Sequence, residues 1–416
     1  MPGPYRPARS GNAVRVLLWI AGGLVFLLLG LLTLVGLFAM GGPIGFALGV
    51  VLAALPMPIL IATFLWIDRL EPEPLKHLLF AFAWGALIAT VFSGFLNELG
   101  AALLGVPAPL VSPFVEETLK GLGVLLFALF RRREFDGVVD GIVLGGIIGG
   151  GFSFIENIQY YGIQFQATAE AHGAGAGFLA TVFLFLIRDG MGLFAHSLYT
   201  AMTGIGLGVA VTTRNPALKV LAPVGGWSAG VLLHFIWNFS TFNQLAYFVT
   251  YILFMVPVFV GWLLLVQWSR RMELKVLERH LPAYAAAGWI ANWELPALCT
   301  FPGRKRARDW AKRTLGDRGK RAMIDLQLAA TELAFLREKA SRGQDLHDFS
   351  QREQQLLGLL SARKQILQPA AAQQPFGTAP IPTQPSGGPV PPQVSSQFPP
   401  QFPSQFPPQF PPGMPR

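Results

Sequence analysis

Residues 141–162 read GIVLGGIIGGGFSFIENIQYYG. No charged side chain occurs before Glu156. Glycines fall at 141, 145 and 149, and again at 146 and 150. Small residues at this four-residue spacing let two helices approach closely in lipid. A carboxylate then follows at Glu156, beside Asn157. Charge inside a bilayer is costly and faces a partner or a wet cavity, never the lipid. The stretch therefore predicts a membrane helix with a packing face and a chemical end.

The rest of the chain agrees. Of 416 residues, 52% are hydrophobic and only 13% charged, against about 25% charged in soluble domains. The first two thirds hold repeated apolar runs near the roughly 20 residues needed to cross a bilayer. An all-α polytopic membrane protein follows. Eight spans fit: 16–40, 44–67, 78–104, 110–130, 138–162, 190–213, 220–240 and 246–268. Phe178–Ile187 is apolar but short, and ends in Arg188-Asp189. It reads as an interfacial or re-entrant lead-in to the sixth span.

Loop charge orients the spans. Arg6, Arg9 and Arg15 precede the first, Arg69 and Lys76 follow the second, and Arg131–Arg133 follow the fourth. Arg214 and Lys219 follow the sixth, and Arg270, Arg271 and Lys275 the eighth. The alternate loops carry no Lys or Arg. The positive-inside rule then puts residues 1–15 and the C-terminus in the cytoplasm of a cell-membrane protein. The net charge of +9 is thereby a topology signal, and nucleic acid is not an expected partner.

Residues 269–368 read as a cytoplasmic helical domain. Gly303–Arg313, GRKRARDWAKR, is a basic run suited to anionic headgroups. Asp325–Ala340 and Asp345–Leu367 have helical apolar spacing and form an expected hairpin about Ser341–Gly343. Residues 369–416 are Pro/Gln/Phe-rich and end in QFPP-type repeats, the composition of a disordered or polyproline-like tail. Its binding partner, if it has one, is not named by the sequence. The single cysteine, Cys299, rules out an intramolecular disulfide and a thiolate metal cage.

Four clusters carry the chemistry: Glu116-Glu117 with Lys120, Glu156-Asn157, His196, and His234 with Asn238. Glu116 and Lys120 share a helix face. One lysine cannot neutralise two carboxylates, so one glutamate is left to bind a proton or a metal, or to activate water. With the spans above, Glu116, Glu156, His196 and His234 each lie about six residues from an outer helix end, about 9 Å deep. Glu98 in the third span is near that level and reads as interfacial. Two imidazoles and a carboxylate form the ligand set of hydrolytic zinc sites, here Glu156, His196 and His234. Zn²⁺ or another divalent ion would then activate water, with a second glutamate as general base. A metal-free site is equally open: glutamate activates water while His and Asn stabilise the oxyanion. No HExxH is present.

These motifs resemble the PrsW family of intramembrane proteases, relatives of the CAAX-prenyl endopeptidase superfamily. The resemblance covers about Asp68 to Ser240. It rests on EExxK at Glu116–Lys120, FxxxEN at Phe152–Asn157, His196, HxxxN at His234–Asn238, and the acidic Pro-containing loop Asp68–Pro74. It implies a multi-span protease cleaving a membrane-anchored protein near the extracytoplasmic face, with first-step cleavage of an anti-sigma factor as the associated role. Glu116, Glu117, Glu156, His196, His234 and Asn238 are the candidate catalytic residues, supported by Lys120, Asn157, Arg188 and Asp189. A transporter or proton relay, and a non-catalytic membrane scaffold, are the competing readings. A midplane site between repeated halves would favour the transporter, and no internal repeat is evident.

Overall fold

The computed structural model describes residues 10–131, 134–343 and 348–371. Expectations for residues 1–9, Arg132, Arg133, Asp345 and 372–416 lie outside the described residues. Those described are almost entirely helical, with no strand among them. Eleven helices carry the description: α1 Ser10–Ala54, α2 Met57–Ile67, α3 Leu75–Leu104, α4 Ala108–Phe130, α5 Val138–His172, α6 Ala174–Gly192, α7 Ala195–Thr212, α8 Pro216–Ser240, α9 Gln244–Ala286, α10 Phe301–Ser341 and α11 Phe349–Ala371. Among the described residues six helical runs are long and apolar enough to cross a membrane, and large apolar side chains from Leu17 to Trp268 lie exposed on the bundle. The molecule is an all-α polytopic membrane protein.

α5 is the axis. Its apolar window is almost wholly enclosed, because its glycines admit neighbours on every side. A Cβ at Gly141 would lie 2.0 Å from the Gly204 carbonyl oxygen, and one at Gly149 would lie 2.4 Å from that of His196. These contacts bring α7 against α5 backbone to backbone. On another face, a Cβ at Gly146 would strike the Phe64 ring at 2.1 Å, which seats α2. α3 approaches through Gly85, whose Cβ would lie 1.9 Å from Ile148 O. This approach falls in a π-helical turn, Trp84–Ala89.

Two departures from the expected spans have local causes. Gly42 breaks α1 with φ 62° and ψ 177°, just before Pro43. Phe26 meets Phe80 and Gly30 meets Leu87, whereas Gly45, Gly49, Leu60 and Phe64 meet Gly162, Ile158, Gly150 and Gly146 in turn. The chain thus reverses at Gly42, and the expected loop 41–43 shrinks to one glycine. The second expected span, 44–67, is two helices, because Pro56 starts α2 afresh.

The second departure corrects the lead-in reading of Phe178–Ile187. This segment lies within a full 19-residue helix, α6. It adds no further crossing. Gly177 packs on Phe165 and Ala169, and Asp189 meets Asn157, while His196, Thr200, Gly204 and Gly208 step down past Gly149, Gly145, Gly141 and Gly137. α6 and α7 are one passage beside the 35-residue α5, broken at Leu193–Phe194. The sixth expected span at 190–213 begins its helix only at Ala195.

α9 continues past the bundle to Ala286. Leu277, Leu281, Leu298, Leu326, Leu333 and Leu360 share one core with α10 and α11. Arg363–Asp325 (2.9 Å) and Arg337–Glu353 (2.8 Å) set α10 and α11 antiparallel. α10 is broken at Gly316 (φ 65°).

At the lower end of the bundle, acidic side chains crowd the Asp68–Pro74 loop. Asp68 accepts from Glu73 N at 2.7 Å, Glu73 lies 3.2 Å from His77 Nδ1, and Lys339 pairs with Asp136 at 2.6 Å. Burial pushes the Asp68 carboxyl up to about 8, with Asp140 adding to the rise and the Glu73 N–H opposing it. Burial likewise pushes Glu73 to about 8, followed by repulsion from Asp68, Glu134 and Asp136 against the pull of Lys339.

Two outcomes are expected. Gly149→Ala overpacks a backbone contact and should cost ~1–3 kcal/mol, read as a lower melting temperature in detergent. Gly225→Ala, with nothing within 4 Å of its Cβ, should not. Between about pH 4 and pH 8 the unfolded chain ionises Asp68 and Glu73 while the fold keeps them protonated. Stability should therefore fall as pH rises through this window, and Asp68→Asn should flatten the fall. A melting temperature that climbs from pH 6 to 8 would overturn that account.

Candidate active site

The four polar clusters converge. α4 carries Glu116, Glu117 and Lys120 on its buried face. Lys120 Nζ lies 2.5 Å from Glu117 Oε1 (i,i+3) and 3.7 Å from Glu116 Oε2 (i,i+4). The same ammonium lies 3.2 Å from His196 Nδ1 and 4.2 Å from the centre of the Phe152 ring. Lys120 and Glu117 are both wholly buried, so their charges are compensated only by each other and by their polar neighbours.

Glu117 is saturated. Besides Lys120 it meets His234 Nδ1 at 3.0 Å and accepts from Thr200 Oγ1 at 3.0 Å. With Nδ1–H donating to Glu117, His234 presents a bare Nε2, which lies 3.9 Å from Glu116 Oε2. Tyr199 stacks on the His234 ring at 5.1 Å and fixes its plane.

Glu156 holds the second imidazole. His196 Nε2 lies 2.9 Å from Glu156 Oε2, and Arg188 Nη2 donates to the same oxygen at 2.7 Å. Arg188 Nε donates to Asn157 Oδ1 at 2.9 Å, Asn157 Nδ2 donates to Asp189 Oδ1 at 2.9 Å, and Tyr161 donates to the other Asp189 oxygen. His196 accepts from Lys120 at Nδ1 and donates to Glu156 at Nε2, so both ring nitrogens are engaged. The break at Leu193–Phe194 lets Arg188–Asp189 and His196 reach α5 from different helices.

These groups border a cavity of about 610 Å³. Glu116, Glu156, Arg188, His196 and His234 line it, and Glu117 and Lys120 do not. Glu116 accepts from Asn97 Nδ2 at 3.2 Å through Oε1, while its Oε2 is buried without a hydrogen-bond partner. That orphaned oxygen fits a bound water or cation. Glu116, His196 and His234 can each offer one ligand atom, all within 4.8 Å of one another. Carboxylate plus two imidazoles is a donor set suited to Zn²⁺. Ligation by His196 would compete with its contact to Lys120 or to Glu156.

Among the described residues the donor atoms that come together are those of Glu116, His196 and His234, where the expected set had Glu156, which pairs with Arg188 and His196. Asn238, expected as an oxyanion donor, lines the same cavity and donates to Pro109 O at 3.1 Å and Ser112 Oγ at 3.0 Å, joining α8 to α4. Asn97 was the residue sequence reasoning passed over. An amide inside an apolar span was the available signal, masked by its neighbour Glu98, which is exposed and lines the cavity. Thr200 shares a helix face with His196 by its spacing alone, whereas Tyr161 was invisible, since hydroxyls are common in membrane helices.

Comparison with known proteins agrees with this picture. Residues 73–262 match the model of the PrsW family intramembrane metalloproteases. Protease PrsW of Clostridioides difficile (strain 630) is 35% identical over 114 residues, covering 25% of this chain and 47% of that protein. The chain thus spans about half the length of the curated relative it matches. No solved structure matches significantly. The family model and the relative bear out the resemblance read from the motifs.

If Glu116 is a ligand and Glu156 a supporting partner, their amides separate the two. In Zn²⁺ titration calorimetry, Glu156→Gln should weaken binding about 10–100-fold, as loss of an outer-sphere partner does, and Glu116→Gln should weaken it further. The reverse order would restore Glu156 as the ligand.

Proposed function

We propose that this chain is an intramembrane peptidase that hydrolyses a membrane-anchored protein at the cavity bordered by Glu116, His196 and His234. One observation carries the reading. Glu116 lines a cavity inside an apolar bundle, and its buried Oε2, which makes no hydrogen bond, lies 3.9 Å from the bare Nε2 of His234. A buried carboxylate oxygen that lacks a hydrogen bond is costly, and a water admitted there would reduce that cost.

The residues divide the work. Glu116 takes the proton of the attacking water as general base and returns it to the leaving amine. Glu117, through Lys120, Thr200 and His234, fixes the His234 tautomer that leaves Nε2 bare. Glu156 holds His196 and Arg188 at the cavity wall. The Arg188 guanidinium, which also stacks over Tyr160 at 3.8 Å, supplies positive charge where an oxyanion would develop. In a metal form, Glu116, His196 and His234 would hold a divalent cation that would supply a lowered pKa for water and polarisation of the scissile carbonyl, and Glu116 would then serve as a ligand in place of general base.

The cavity lies toward one end of the bundle, opposite the Asp68–Pro74 loop. By the loop-charge argument that end is extracytoplasmic and both termini are cytoplasmic. The substrate is then a single-span or lipid-anchored protein cut near the outer face. The family resemblance adds an anti-sigma factor as the substrate type.

Reconstituted with a single-span reporter, Glu116→Gln and His196→Ala should each lower cleavage at least about 100-fold, the low end for loss of a general base. Glu98→Gln, at the exposed cavity rim, should stay near wild type. Undiminished cleavage by both site variants, with folding verified by melting, would overturn the proposal. Chelator inhibition reversed by Zn²⁺ would select the metal form, and chelator resistance the metal-free form.

A further inference from the structure

At the end of the bundle opposite the cavity, two guanidiniums lie against the same pair of rings. Arg270 sits 3.9 Å from the Trp66 ring and 4.6 Å from Phe301, and Arg69 sits 4.4 Å from Phe301 and 5.8 Å from Trp66. Arg270 is 2% exposed, yet its Nε and Nη2 have no hydrogen-bond partner, and neither does Arg69 Nε. Among the described residues no carboxylate pairs with either. Glu273 is the nearest acidic influence on Arg270, and Arg69 opposes it.

Two more arginines lie within electrostatic reach of Arg69. Arg304 is buried and anchored by Leu298 O at 3.1 Å and Thr331 Oγ1 at 3.0 Å. Burial lowers the Arg304 guanidinium to about 10, with Arg308 and Arg69 adding repulsion, and Arg69 is lowered by burial and by Arg308. Arg69 thus feels like charge from Arg270 on one side and from Arg304 and Arg308 on the other. Stacking on aromatic rings offsets only part of the cost of burying a charge without a counterion. The missing component is an anion.

Location narrows its chemistry. Trp66 closes α2 and is 43% exposed, as an aromatic residue at headgroup level is. Exposed Leu65, Leu264 and Trp268 flank the cluster on the side toward the apolar bundle, a surface for acyl chains. Guanidinium forks match phosphate oxygens in geometry. Arg270 is roughly six helical turns along α9 from Tyr247, which lines the cavity, so this is not the catalytic site.

We propose that Arg69 and Arg270, with Arg304 and Arg308 around them, form a phosphate-binding site at the headgroup level of the bundle, filled by the phosphate of an anionic phospholipid. The bound phosphate ties the α2–α3 loop, α9 and α10 together. The basic stretch Gly303–Arg313 thereby gains a specific role in two of its residues, Arg304 and Arg308, while Lys305 and Arg306 remain solvent-facing.

The test uses the full chain, delipidated in detergent. Phosphatidylglycerol, phosphatidylcholine or inorganic phosphate is added, and melting and native mass spectrometry are recorded. Phosphatidylglycerol should raise the melting temperature and be retained as one lipid per chain. Arg270→Gln and Arg69→Gln should each weaken retention about tenfold, as loss of a charge-assisted fork does. Arg270→Lys, which keeps the charge without the fork, should weaken it too. Arg69 is only half-buried, so its variant reports even where Arg270→Gln disturbs folding. An equal shift by inorganic phosphate would assign the site to a soluble phosphate. Phosphatidylcholine matching phosphatidylglycerol would overturn the assignment to an anionic lipid. Retention unchanged in Arg69→Gln and Arg270→Lys, or lost only when Lys305 and Arg306 are neutralised, would overturn the proposal.

Discussion

The contact between the backbones of α5 and α7 is the constraint on which the rest depends. At Gly141, Gly145 and Gly149 the two helices meet without intervening side chains. Gly149 approaches the carbonyl of His196 itself, so the packing face of α5 fixes the backbone from which one imidazole projects. From there the polar network follows outward: His196 to Lys120 and Glu156, Lys120 to Glu117, and Glu117 to His234 and Thr200. Without close approach on one side of α5, the charged groups on its other neighbours would have no common centre.

Low polarity around the network gives the second constraint. Each buried charge must be matched locally, and the site does so by division. Glu117 and Lys120 neutralise one another out of reach of the cavity, and Glu156 is matched by Arg188. Glu116 alone keeps an oxygen in reserve. Adjacent glutamates in one helix thus have opposite surroundings, about 100° apart around its axis, and their distinct tasks follow from that angle.

Much of this was legible in the sequence. The glycine spacing identified the packing helix, and intramembrane charge identified the four clusters, because both signals are local and costly to maintain for no reason. What the sequence left open depended on which neighbour a side chain meets. Glu156 and Glu116 are both carboxylates at similar depth, and only Arg188, arriving from α6, separates them. α6 itself was under-read because Phe178–Ile187 is short between its glycines and its charge pair. Its helix gains length from residues that are small but not apolar, packed on α5 at Gly177. The partners of Asn238 were open for the same reason: an amide beside a histidine can serve the site, a neighbouring helix or, as here, line the cavity while bonding the next helix.

The two faces of the central helix should also tolerate change differently over generations. At Gly146 and Gly150 the obstructing atoms belong to the side chains of Phe64 and Leu60. A larger residue there can be accommodated by a smaller one opposite, so these positions can drift in pairs. At Gly141 and Gly149 the obstruction is a carbonyl group, which no exchange of amino acids can trim. The lineage can explore new sequence on the side facing α2, while the side facing α7 offers no compensating partner and holds its glycines one by one.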